Sequence, residues 1–190
     1  FIGREDGEAE VYVMPAVGGP ATRLTHLGSI TTVLGWTPDG KKIVFASTAT
    51  QPFQRLTPLY TINPEGGQPE PLAYGPAQSI SFGPEGGVVL GRKAQELAYW
   101  KRYRGGRTGE IWIDTKGNGR FRSLLKLKSN LVSPIWLGER IYFLSDHEGV
   151  GNLYSCTPRG TKIQRHTHEN NYYVRRPATD GTRIVYQAGA

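Results

Sequence analysis

The sequence predicts an all-β protein assembled from repeated four-stranded antiparallel units. Three observations carry that prediction. One hairpin design occurs four times, a second landmark keeps step with it, and 25 glycines and 13 prolines among 190 residues fit a chain rich in turns. The hairpin is clearest in Trp36-Thr37-Pro38-Asp39-Gly40-Lys41-Lys42-Ile43-Val44-Phe45. Pro38 presets φ for a turn, and Gly40 supplies the left-handed position that reverses the chain. Ile43, Val44 and Phe45 are consecutive β-branched or aromatic residues, which suits a strand covered on both faces. Phe82-Gly83-Pro84-Glu85-Gly86-Gly87-Val88-Val89-Leu90 is the second copy, and Trp136-Leu137-Gly138-Glu139-Arg140-Ile141-Tyr142-Phe143 is a shortened third. Ala178-Thr179-Asp180-Gly181-Thr182-Arg183-Ile184-Val185-Tyr186 is the fourth. Measured at the last apolar residue of each copy, the separations are 45, 53 and 43 residues.

The second landmark is an apolar triplet ahead of a glycine turn. Val11-Tyr12-Val13, Leu59-Tyr60-Thr61, Ile111-Trp112-Ile113 and Leu153-Tyr154-Ser155 precede Gly18-Gly19, Gly66-Gly67, Gly117-Asn118-Gly119 and Arg159-Gly160. A further short strand follows each, as in Thr22–Thr25 or Phe121–Leu124. Each period therefore holds about four short strands, the pattern of a β-propeller blade. An ordinary β-sandwich with evenly spaced hairpins is the competing reading, and two landmarks repeating in register weigh against it.

Taken in order, the chain reads as one propeller segment. Residues 1–25 form a partial blade, 29–73, 78–125 and 131–167 form blades, and 172–190 form a second partial blade. The strands of the last are placed around Tyr172–Val174 and Arg183–Gln187. The two partial blades leave two outcomes. Either the ends pair into one composite blade of a four-bladed ring, or the chain is an incomplete, roughly four-blade part of a larger ring. The reading favours the incomplete ring. Phe1 falls inside a strand and is not Met, so the chain is expected to be a piece of something longer.

Composition narrows the classes further. One cysteine, Cys156, permits no internal disulfide and favours a reducing compartment. No apolar run is long enough for a membrane helix, and no signal-peptide pattern is present. The formal charge of +7 is concentrated. Arg92, Lys93, Lys101, Arg102, Arg104 and Arg107 lie together in one connection, against Glu96 alone.

Catalytic patterns are missing. There is no Gly-x-Ser-x-Gly elbow and no Gly-rich phosphate loop. Cys156 reads as a small buried strand residue, and His147 as part of the turn Asp146-His147-Glu148-Gly149. His166 and His168 alternate as if on one face of a strand, but a zinc site wants a further converging ligand. A solvated strand end is the better reading. No catalytic residue, metal or cofactor is therefore assigned. The best candidate for contact is the run Trp100, Lys101, Arg102, Tyr103 and Arg104, with Arg107 following. Interleaved aromatic and basic side chains can pack under their own loop, grip a peptide or protein, or stack nucleic-acid bases. Nucleic acid is the weakest of the three, and no membrane contact is expected.

At this point a family resemblance is visible. The hairpin Trp36–Phe45 and the stretch Val11–Thr25 resemble repeats shared by the Tol-associated propeller and the tricorn peptidases. Gln51-Pro52-Phe53 ahead of Leu59-Tyr60, the segment Trp100–Ile113, and Arg140–Gly149 are similar to the first, six-bladed propeller of tricorn-type peptidases. The resemblance covers nearly the whole chain. It implies a segment of a large cytoplasmic serine peptidase, a hexamer that trims oligopeptides released by the proteasome. Two propellers precede its catalytic part, and the first shapes a passage to the active site. The partners so implied are the rest of the subunit, neighbouring subunits and peptides. The alternative is a stand-alone interaction propeller of the Tol-associated type. The tricorn archetype holds a peptide's C-terminal carboxylate with two adjacent arginines, which by order along the chain belong between Thr25 and Trp36. This sequence has no arginine there, and Arg175-Arg176 lies in a different connection, so the role is not carried over.

Overall fold

The computed structural model describes residues 1–5, 7–53, 56–94 and 96–189. Among them, regular structure is almost entirely antiparallel strand, with one short 3-10 turn at Pro84–Gly86. The chain divides into two compact units, Phe1–Ala77 and the remainder from Gln78 on.

The first unit holds two sheets. β1 (Ile2–Gly3), β2 (Glu10–Val13) and β3 (Thr22–Arg23) form a three-stranded sheet in chain order. β4 (Thr31–Trp36), β5 (Ile43–Ser47), β6 (Leu59–Asn63) and β7 (Gly66–Leu72) form a four-stranded one. The turn before β5 is made as its residues dictate. Gly40 has φ +68 and its N–H bonds the Thr37 carbonyl at 2.8 Å, while the Asp39 carboxylate accepts both the Thr37 hydroxyl at 2.6 Å and the Lys41 N–H at 3.1 Å. β5 is buried from end to end, which explains its unbroken apolar run. Val11, Leu24, Ile43, Phe45, Tyr60 and Ile62 form the core between these two sheets.

The second unit repeats the plan. β8 (Ser79–Phe82), β9 (Val88–Arg92), β10 (Glu110–Asp114) and β11 (Arg122–Ser123) make one sheet. β12 (Leu131–Leu137), β13 (Arg140–Ser145), β14 (Asn152–Cys156) and β15 (Gln164–Arg165) make the next. β16 (Arg175–Thr179) and β17 (Ile184–Gln187) pair as a hairpin. Val89, Ile111, Ile113, Ile141, Phe143, Tyr154 and Cys156 fill the space between the first two sheets. Burying each large apolar side chain contributes about 1.5–3 kcal/mol. Leu97, Val132, Leu144, Leu153 and Val174 fill a second core beside the hairpin.

One latch recurs in both units. A polar residue at the start of the third strand of a full blade, or its equivalent, holds the chain that leaves the outermost strand. Glu10 accepts the Thr25 hydroxyl at 2.5 Å and the N–H groups of Leu27 and Gly28 at 2.7 and 2.8 Å. Asn152 does the same with the Thr167 hydroxyl at 2.8 Å and the Glu169 N–H at 2.9 Å. In each case the threonine oxygen also accepts a strand N–H, from Val11 or Leu153, at 2.9 Å.

Three expectations are corrected. The strand placed around Tyr172–Val174 begins instead at Arg175. Val174 bonds its N–H to the Gly151 carbonyl and fills the second core with Tyr173 packed against it, so Tyr173 and Val174 anchor the approach to the strand. Gly66-Gly67 is not the turn. Asn63 pairs with Gly66, so Pro64-Glu65 make the reversal and the glycines open β7 with φ +99 and +107. β15 ends at Arg165, so His166 and His168 do not alternate on a strand.

Candidate functional site

The longest connection in the second unit runs from β9 to β10 and carries the basic-aromatic run. Leu97 plugs it into the protein, fully buried against Val132, Leu144, Leu153 and Val174. Asp146, itself buried at the end of β13, accepts the Arg102 N–H at 2.6 Å and the Ser129 hydroxyl. Asn130 donates to the Trp100 carbonyl at 3.1 Å and accepts the Gly109 N–H at 2.9 Å. Glu96 pairs with Arg175 at 3.1 Å. The backbone is thus tied from β12, β13 and β16, while many of its side chains face water.

The exposed face has a definite arrangement. Trp100 and Tyr103 pack with ring centroids 4.8 Å apart, and the Arg107 guanidinium lies 5.1 Å from the Trp100 ring centre. The Lys101 ammonium stands 5.4 Å from the Tyr173 ring centre. Such cation–π contacts contribute about 0.5–1 kcal/mol each at exposed sites. Arg104 is exposed and makes no hydrogen bond or ion pair among the described residues. Trp100 is 48% and Tyr99 78% exposed. The structure therefore brings Trp100, Tyr103 and Arg107 into one cluster, turns Lys101 toward Tyr173, and leaves Arg102 held by its backbone.

The same loop walls a cleft of about 330 Å3 that sequence reasoning missed. Ser79, Glu96, Tyr99, Ser133, Arg175 and Arg176 line it, at the beginnings of β8, β12 and β16. The overlooked signal is an X-Pro pair inside a strand. Ser133-Pro134 and Arg176-Pro177 both sit at register shifts, and proline inside a strand marks a bulge.

The remaining polar candidates are structural. His166 accepts or shares the Ser155 hydroxyl proton at 2.6 Å, a serine–histidine contact. Ser155, however, is fully buried, and its oxygen also receives the Arg140 guanidinium at 2.8 Å, so no carbonyl carbon can reach it. Burial, then the nearby Arg140 charge, holds the His166 pKa below its usual value. The His147 Nδ1 meets the Ser145 hydroxyl at 3.0 Å, and its ring packs on Tyr154 with centroids 4.6 Å apart. Burial first, against the raising effect of Glu148 and Asp146, leaves that imidazole with a lowered pKa as well. Among the described residues no group of three or more His, Cys, Asp or Glu converges as a metal site. No helix among them is long and apolar enough to cross a membrane.

Antiparallel four-stranded sheets, each strand paired with its neighbour in chain order and each sheet packed on the next within its unit, define a β-propeller. The chain belongs to the tricorn protease N-terminal β-propeller domain family, which matches residues 1–190. It is 45% identical over 183 residues to tricorn protease homolog 1 of Streptomyces coelicolor, covering 95% of this chain and 17% of that protein. It is 37% identical over 120 residues to a tricorn-like protease N-terminal subunit of Sulfurisphaera tokodaii, covering 62% of this chain and 60% of that one. The crystal structure of the tricorn protease superposes with a TM-score of 0.86 at 35% identity, covering 95% of this chain and 18% of that one. The chain thus spans about a sixth of the length of the full tricorn proteases it matches.

Proposed function

We propose that this chain is a non-catalytic propeller segment of a tricorn-like serine peptidase of the cytoplasm. In that role it shapes a passage for oligopeptides and docks against the rest of its subunit and neighbouring subunits. Family membership supports the parent activity. The observation that carries the role is the β9–β10 loop, a backbone pinned from three strands that presents Trp100, Arg107 and an unpartnered Arg104 to solvent. An ordered aromatic-basic surface suits transient contact with peptide carbonyls and acidic side chains. A Sulfurisphaera relative whose name makes it a separate N-terminal subunit supports association between the propeller part and the remainder.

The test uses the full-length protein. Trp100→Ala with Arg107→Ala is expected to raise KM several-fold for long oligopeptides while leaving a short chromogenic substrate unchanged. Equal kinetics on both substrates would overturn the passage role. Peptide hydrolysis by this chain alone, blocked by a serine-directed inhibitor, would overturn the non-catalytic part.

A further inference from the structure

The cleft beside the loop has a chemistry of its own. Two guanidiniums, Arg175 and Arg176, meet one carboxylate, Glu96, with the hydroxyls of Ser79, Ser133 and Tyr99 around them. Glu96 accepts the Nε–H of Arg175 through one oxygen at 3.1 Å and the Ala98 N–H through the other at 3.3 Å. Arg176 makes no hydrogen bond or ion pair among the described residues. Ser133 and Arg176 also share a backbone device. They have φ values of 52 and 47, in the left-handed region, and each stands directly before a proline at a strand irregularity. Non-glycine residues occupy that region at a cost, so two adjacent sheets both spend stability to present a side chain to the same cleft.

We propose that this cleft binds a carboxylate monoanion, with Arg176 as its main contact. The charge count selects the class. Two cations and one resident anion leave a single positive charge, which one carboxylate neutralises and a phosphate dianion exceeds. The planar guanidinium fork matches a planar carboxylate with two parallel hydrogen bonds. Ser79 and Ser133 supply hydroxyl donors for the second oxygen. A volume of about 330 Å3 admits one acidic side chain together with several waters, at roughly 30 Å3 each. A neutral ligand would leave Arg176 no better satisfied than water does. The inference goes beyond the peptidase reading and does not rest on it, because the readout is binding to the protein itself.

The test is an NMR titration followed at the Gln78 and Ser133 amides. N-acetylglutamate α-amide, a monoanion through its side chain, is expected to give saturable shifts, and N-acetylglutamine amide none. N-acetylalanine separates the sources: binding there identifies a chain-terminal carboxylate, binding of the glutamate derivative alone an acidic side chain, and either supports the site. Arg176→Gln should weaken binding at least about tenfold, the loss expected for one charge-assisted pair. Arg176→Lys keeps the charge without the fork and should weaken it about threefold; it serves if the glutamine variant fails to fold. The proposal is overturned if neither carboxylate shifts those amides, if Arg176→Gln or Arg176→Lys binds unchanged, or if inorganic phosphate binds more tightly than both.

Discussion

Replacing Gly160 by alanine tests how closely neighbouring sheets of the second unit approach. Gly160 closes the turn between β14 and β15, with φ +79 and its N–H on the Thr157 carbonyl at 2.8 Å. A Cβ there would overlap the backbone carbonyl oxygen of Leu124, just past β11 on the adjacent sheet. Gly119, in the equivalent turn between β10 and β11, has φ +82 and open space where a Cβ would go. Both variants bear the left-handed penalty of about 1 kcal/mol. Only Gly160→Ala adds the overlap, and backbone cannot swing aside as a side chain does, so overpacking adds about 1–3 kcal/mol. For a chain of this size, 1 kcal/mol moves Tm by about 2–4 °C. Gly119→Ala is thus expected to lower Tm by about 2–4 °C and Gly160→Ala, at about 2–4 kcal/mol in all, by about 4–16 °C. Calorimetry or circular dichroism melting reads both. Equal losses would refute the close approach.

Asp146→Ala should free the β9–β10 loop by orphaning the Arg102 N–H, costing about 1–3 kcal/mol, and trypsin should then cut faster at Lys101, Arg102 and Arg104; an unchanged cleavage rate would show that the Leu97, Asn130 and Glu96 ties hold the loop without Asp146. Glu10 titrates below the ordinary 4.5: burial raises it, but the Thr25 hydroxyl, the Gly28 and Leu27 N–H groups and the Arg23 charge outweigh that. Because the folded value is depressed, its stabilisation is complete above about pH 4.5 and drains away as pH falls through the lowered value. Glu10→Gln should flatten that acid limb in a Tm-against-pH series, and an identical limb would contradict it. The Cys156 thiol is pushed up to about 11, chiefly by burial, against a small lowering by Arg140. Two units above the ordinary 9.0 leave about 100-fold less thiolate, so iodoacetamide at pH 8 should label the native protein only after denaturant is added.

The blade hairpins were legible because turn chemistry and strand burial are local properties. Pro38-Asp39-Gly40 can do little but reverse the chain, and Ile43–Phe45 or Val88–Leu90 has no polar face to offer water. The buried role of Cys156 followed from the same logic. The third strands were visible as apolar triplets, but their turns were not always so: Gly66-Gly67 looks like a reversal and is an opening strand. The loop's charge and aromatics were readable, whereas their grouping was not. Whether Arg107 or Arg104 covers Trp100 depends on ties from Asp146 and Asn130, which lie 30 or more residues away. The cleft was invisible because its wall is gathered from three strands and one loop. Sequence order places Arg175 and Arg176 in one connection, and only the bulges at Ser133 and Arg176 aim them at common space.

The outermost strands β3, β11 and β15 are two residues each, beside central strands of four to six. A margin with two residue pairs has little to lose by opening, while the middle of the sheet is locked by neighbours on both sides. In those sheets amide deuteration should therefore creep inward from that fringe, reaching Phe143 last. Unravelling at the periphery is a reversible nuisance for such a molecule; only a breach at the centre commits it to collapse.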